Sequence, residues 1–193
     1  WQFADNSNDE TELYVSSGID TAMRLSSNLA AASFTGTTYW AEINLSTNTA
    51  YTRYAEAVNT TGSVWSNVIT SYTAAAVPSG SYVISRTSYN IAIGWSNNNN
   101  PGYTRFGVLR SIDGFTASTT TLKNYSDNYT ATAYTDTMVN AGTTYWYKIQ
   151  AINGGGIATL FDTTVSTLTI SPTLPNPISD LTGLTGTLEG EVV

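Results

Sequence analysis

The stretch TTYWYKIQAING, Thr143 to Gly154, alternates in character at every second residue and then stops at a turn signal. Tyr145, Tyr147, Ile149 and Ala151 fall on one face, and Trp146, Lys148 and Gln150 on the other. A period of two is the pattern of a half-buried β-strand, and Asn-Gly is a dipeptide that tolerates the backbone angles of a tight turn. One strand of a sheet with a wet side and a dry side is therefore expected here.

The same pattern occurs twice. TAYTRYAEAVNTTG, Thr49 to Gly62, overlays TTYWYKIQAINGGG, Thr143 to Gly156, without a gap, matching Tyr51 to Tyr145, Ala57 to Ala151 and Asn59 to Asn153. The shift is 145 − 51 = 94 residues, and carried back along the chain it puts Trp1 on Trp95 and Val15 on Leu109. In the second copy, period-2 runs bounded by Gly, Asn, Asp or Pro predict strands at 81–86, 90–96, 105–111, 119–125, 131–137, 144–152 and 161–168. Seven short strands in about 95 residues suit an all-β, immunoglobulin-like sandwich of two sheets. The expected organisation is an incomplete first unit at 1–76, a complete second at 77–171 and a linker with a strand-like tail at 172–193, with Val77-Pro78 as the hinge.

Composition narrows the function. Apolar residues make up 41% of the 193, aromatic residues 12% and charged residues only 11%, so Thr, Ser and Asn must cover a β-rich surface. Seven basic against 14 acidic residues give a net charge of −7, which disfavours nucleic acid as a partner. There is no histidine and no cysteine, which removes the usual catalytic bases, thiol nucleophiles and thiolate metal sites, and no cofactor is expected. No apolar run reaches the roughly 18 to 20 residues of a membrane span. The absence of disulfides in a chain of extracellular character points to a prokaryotic extracellular or cell-surface location.

Each copy resembles a fibronectin type III domain. The resemblance rests on Trp1 and Trp95 on the second strand and on the run LSTNTAYTRYAEAVNTTGSVWSNVITSYT, in which Leu45 stands six residues before Tyr51. The second copy has Val139 in the place of that leucine, and both lack a proline often found before the tyrosine. The resemblance implies a tyrosine corner, with the ring of Tyr51 or Tyr145 between the sheets and its hydroxyl bonded back to upstream backbone. It specifies a fold and leaves function open.

The first copy opens at its second strand, whereas the tail PTLPNPISDLTGLTGTLEGEVV reads as a proline-marked linker followed by the first strand and the opening of the second strand of a third copy. Two explanations are open. The chain is either an excerpt of a longer repeat array, or a subunit whose tail completes the next copy by strand addition, which builds a filament. In the second case Ile178, Leu181, Leu184, Val192 and Val193 are the apolar residues of the assembly tail.

Candidate sites are few. ADNSNDETE, Ala4 to Glu12, offers Asp5, Asp9 and Glu10 as hard-oxygen ligands for calcium, against a plain solvated acidic turn, and it lacks the spacing of an EF-hand loop. Asn44, Asn59, Asn124 and Asn128 each begin an Asn-x-Ser/Thr glycosylation sequon. Trp146, Tyr39-Trp40 and Trp65 are the aromatics that could meet a sugar ring or a protein, although Trp40 and Trp65 also suit packing within the first unit. The expected function is a non-enzymatic structural or adhesive module whose partners are other copies, neighbouring repeats or surface glycans. The alternative is a carbohydrate-binding or spacer module of a secreted polysaccharide-active enzyme.

Overall fold

The computed structural model describes residues 1–5, 9–29 and 36–173. The first unit contains β1 (Gln2–Asp5), β2 (Glu12–Ser16), β3 (Gly36–Tyr39), β4 (Ala50–Asn59), β5 (Gly62–Trp65) and β6 (Ile69–Tyr72). β1 pairs antiparallel with β3, and β2, β4 and β5 form the facing sheet, with β6 on the first half of β4. The second unit contains β7 (Ser79–Arg86), β8 (Ile91–Ser96), β9 (Arg105–Ser111), β10 (Thr120–Lys123), β11 (Ala133–Asp136), β12 (Thr144–Ile152) and β13 (Val165–Leu168). Its two sheets run β11-β8-β7 and β10-β9-β12-β13, the arrangement of an immunoglobulin-like sandwich. No helix among the described residues is long and apolar enough to cross a membrane.

The alternation of the opening stretch becomes burial in β12. Tyr147, Ile149 and Ala151 are fully enclosed and Tyr145 nearly so, packing on Ile91, Ile93 and Trp95 of β8 and on Phe106 and Val108 of β9. Trp95 and Phe106 meet edge to face at 5.6 Å. Each large apolar side chain so enclosed contributes about 1.5–3 kcal/mol of burial free energy. Among the described residues of the first unit, the buried apolar side chains are Leu13 and Val15, with Ala75 at the boundary packing into the core of the second.

Both tyrosine hydroxyls reach back across the strand entry. Tyr145 Oη accepts from the Asn140 amide at 2.9 Å, and Tyr51 Oη from the Ser46 amide at 2.9 Å. Deeper in the second unit, Tyr147 donates to Asp136 Oδ2 at 3.0 Å, and the same carboxylate accepts from Arg110 Nη1 and from the Met138 amide. Burial, and then the negative Asp136, push the Tyr147 phenol well above its ordinary range.

Two local expectations change. Val15 pairs with Ala55 and Val108 with Ile149, and 55 + 94 = 149, so the counterpart of Val15 is Val108 and not Leu109. The loop between the second and third strands differs by one residue between the copies, and a single residue flips every side chain of a strand to the other face. Leu109 instead stands opposite Lys148. Val77-Pro78 is also held rather than free: Asn98 Nδ2 donates to Val77 O at 2.8 Å, Asn100 exchanges two bonds with Ala76, and Pro78 is buried.

Candidate functional site

The two units differ most at one sheet edge. In the second unit β7 pairs with β8 and closes the sandwich against the neighbourhood of β13. Ser81 N and Oγ donate to Asp162 Oδ2 at 2.8 and 2.6 Å, Arg86 Nη1 to Thr167 Oγ1 and Leu168 O, and the Ile170 amide to Thr87 O. In the first unit β1 pairs with β3 on one side, and no strand among the described residues pairs with its other side.

A groove of about 670 Å³ lies between β1 and β5, where the counterpart of β7 would run. Phe3 and Ala4 of β1, Leu13 of β2, Ala55 and Ala57 of β4, and Val64 and Trp65 of β5 line it. Val64 is 70% exposed and Ile69 47%. A shallower hollow continues past Trp1, Val15 and Arg53. An open strand edge presents alternate backbone N–H and C=O groups, and the apolar trough beside it would accept every second side chain of an added strand.

One end of this region is fixed by charge. Glu42 accepts from Trp1 Nε1 at 2.7 Å and from Arg53 Nε at 2.9 Å, and forms a second ion contact with Arg53 Nη2. Burial alone would raise the Glu42 carboxyl, and the bonds from Arg53 and Trp1 outweigh it and hold the group below its ordinary value. On the facing sheet, Arg24 grips Glu56 at 2.6 and 2.9 Å and covers the Tyr14 ring at 3.8 Å. Tyr14 and Glu56 alternate with the groove-lining Leu13, Ala55 and Ala57, so the Arg24 pair lies on the outer face of its sheet. Arg53 instead borders the hollow past Trp1, and Gln2, Ser66 and Asn67 add polar groups to a mainly apolar lining.

The other candidates are dispersed. Asp5 ends β1 opposite Gly36, Asp9 accepts from Asn59 Nδ2 at 3.2 Å, and Glu10 is buried at the approach to β2. β1 and β2 belong to different sheets, so Asp5 stands apart from Asp9 and Glu10, which together line a hollow of about 240 Å³ beside Asn59 and Thr61, and no three such ligands gather around a metal position among the described residues. Asn44 and Asn128 are exposed with left-handed backbone, Asn59 accepts from Thr61 Oγ1 at 2.6 Å, and Asn124 caps the 3-10 turn Tyr125–Asp127. Tyr39 is 70% exposed, whereas Trp40, Trp65 and Trp146 are half-buried. Ile178, Leu181, Leu184, Val192 and Val193 lie outside the described residues. The groove lining was not singled out in the sequence; its one signal was Phe3 and Val64 on the strands flanking a missing neighbour.

No family model matches the sequence, and no curated protein matches it. Among solved structures, an Fn3-like protein from Clostridium thermocellum is 30% identical, covering 53% of this chain and 99% of that one, with a TM-score of 0.39. What the chain shares with it is the fibronectin type III-like fold. A fibronectin type III domain of human fibronectin type III domain containing protein 3 is also similar, at 15% identity over 53% of this chain and 92% of that one, with a TM-score of 0.43. The chicken CNTN1 FN1-FN3 domains are 14% identical over 82% of this chain and 55% of that one, with a TM-score of 0.46. Fibronectin type III-like architecture agrees with the strand order and corners described above.

Proposed function

We propose that this chain is a non-enzymatic structural and adhesive element of a prokaryotic extracellular surface assembly, in which fibronectin type III-like units join in line by strand addition. The strand enters the open edge of β1, and the segment 172–193 of another copy supplies it. The observation that carries this reading is the 670 Å³ apolar groove beside an edge that β7 covers in the second unit. The donor segment has few charges, and in an extended strand Ile178 and Leu184 would share one face, with Leu181 on the other. The contact is heterologous, since edge and tail are different surfaces, and such contacts propagate rather than close.

The test uses the full chain, a 1–171 truncation and a synthetic peptide of residues 174–193. Sedimentation should show concentration-dependent polymers of the full chain and monomers of the truncation, and the truncation should bind the peptide. Replacing Val64 with Glu, at the exposed rim of the groove, should weaken peptide binding. A full chain that stays monomeric, together with a truncation that ignores the peptide, overturns strand addition. Retention of that monomer on a polysaccharide would favour the carbohydrate-binding reading instead.

A further inference from the structure

The boundary between the two units is polar, buried and fully paired. Asn48, in the loop that leads into β4, has no solvent exposure, and Thr104 and Asn153 of the second unit are 1% and 3% exposed. Asn48 Nδ2 donates to Thr104 Oγ1 at 2.8 Å, its Oδ1 accepts from the Gly154 amide at 2.7 Å, and its carbonyl accepts from Tyr103 Oη at 2.7 Å. Its own amide donates to Ala74 O. From the other side, Asn153 Nδ2 donates to Thr73 O at 3.0 Å. The Tyr72 ring lies so close over Gly154 that a Cβ there would overlap it.

The repeat itself isolates what Asn48 contributes. Tyr51 corresponds to Tyr145, so Asn48 corresponds to Gly142, and both have left-handed backbone, with φ of 44° and 63°. Glycine meets that turn requirement without a side chain. The asparagine is thus not demanded by the turn, and its amide is spent across the boundary. Any tilt of one unit on the other strands buried amide groups, each of which is costly to leave unpaired, so the contact resists displacement in every direction.

We propose that Asn48 is the key of a rigid joint that makes the two units one body, which keeps the open edge of β1 in fixed orientation to the second unit. This inference is independent of what fills the groove. Relative motion is the default for sandwiches joined by a small polar interface, so rigidity here is a departure that can be measured.

The chain lacks cysteine, so spin labels can be placed at Ser27→Cys and Ala131→Cys, both exposed, and the distance between them measured by pulsed electron resonance. The distribution should be narrow in the parent chain and about twofold wider in Asn48→Gly, which keeps the turn as Gly142 does. Thr104→Val should widen it in the same sense, and the double variant should widen it no further than Asn48→Gly alone. A parent distribution as broad as that of Asn48→Gly overturns the inference, and so does a width unchanged by Asn48→Gly. Circular dichroism of each variant separates loosening of the joint from unfolding.

Discussion

Replacing Asp136 with alanine should destabilise the second unit more than any single truncation of the groups that bond to it. The carboxylate is 2% exposed and accepts from Tyr147, Arg110 and the Met138 amide, so its removal strands three donors at once. Breaking a buried ion pair from one side costs about 3–5 kcal/mol. Arg110 is 14% exposed and keeps the Met138 carbonyl at 2.7 Å, which places the expectation at the lower end, about 3 kcal/mol. Tyr147→Phe removes one bond to a charged acceptor and leaves Asp136 with its other donors, so a loss near the lower end of about 1.5–3 kcal/mol is expected. Urea unfolding followed by tryptophan fluorescence reads both. With a slope of about 1–3 kcal/mol per molar, Asp136→Ala should lower the midpoint of the second-unit transition by about 1–3 M. A loss under about 1 kcal/mol, or a larger loss in Tyr147→Phe than in Asp136→Ala, would refute the assignment of this network as a buried ionic anchor.

Other expectations concern pH and the corners. Asp113 accepts from Ser111 Oγ, with further bonds from the Thr116, Ala117 and Ser118 amides, and the Ser111 bond leads the effects that hold its carboxyl well below the usual range. Its folded pKa is depressed, so its contribution is present above the ordinary aspartate value and fades as pH falls through the lower folded one. Asp113→Asn should therefore be less stable than the parent at neutral pH, and the two melting curves should converge in acid. Tyr147 has the opposite sign: its raised phenol favours folding below about pH 10, where unfolded tyrosine ionises, and that support is lost as the solution becomes more alkaline. Tyr147→Phe should show a shallower alkaline loss than the parent in a melting-temperature series. Tyr145→Phe and Tyr51→Phe each release one backbone amide, at about 1 kcal/mol, and the penalty should be larger at Tyr145, which is 3% exposed, when compared by chemical denaturation.

The sandwich was legible because its signal is repeated and periodic. The runs at 105–111 and 144–152 coincide with β9 and β12, and the remaining strands of the second unit overlap their predicted runs with shifted ends. What escaped was whatever depends on contacts between distant loops. Val15 was matched one residue out of register because a loop length cannot be read from an ungapped overlay. Val77-Pro78 looked like a hinge because proline punctuates a chain, while the side chains of Asn98 and Asn100 that hold the boundary resemble ordinary turn formers. Asn48 and Asn153 were hidden for the same reason: the chemistry that suits a turn also suits a buried amide, and only burial tells them apart. The groove could be anticipated as a missing strand, but its lining required the positions of four separate elements.

The last strand of the first unit is broken in two. Ser66 breaks into the ladder, its amide donating to Ala55 O and its Oγ accepting from the Ala55 amide, so β5 and β6 are each only four residues long. Short, interrupted margins are poor templates for uncontrolled sheet growth. The first unit thus carries two kinds of border, a broken one along β5 and β6 that discourages stacking and a greasy one along β1 that invites a single guest. Were copies to join by the proposed strand addition, such asymmetry would give growth a direction and let a charge-poor protein lengthen in one dimension without thickening into aggregate.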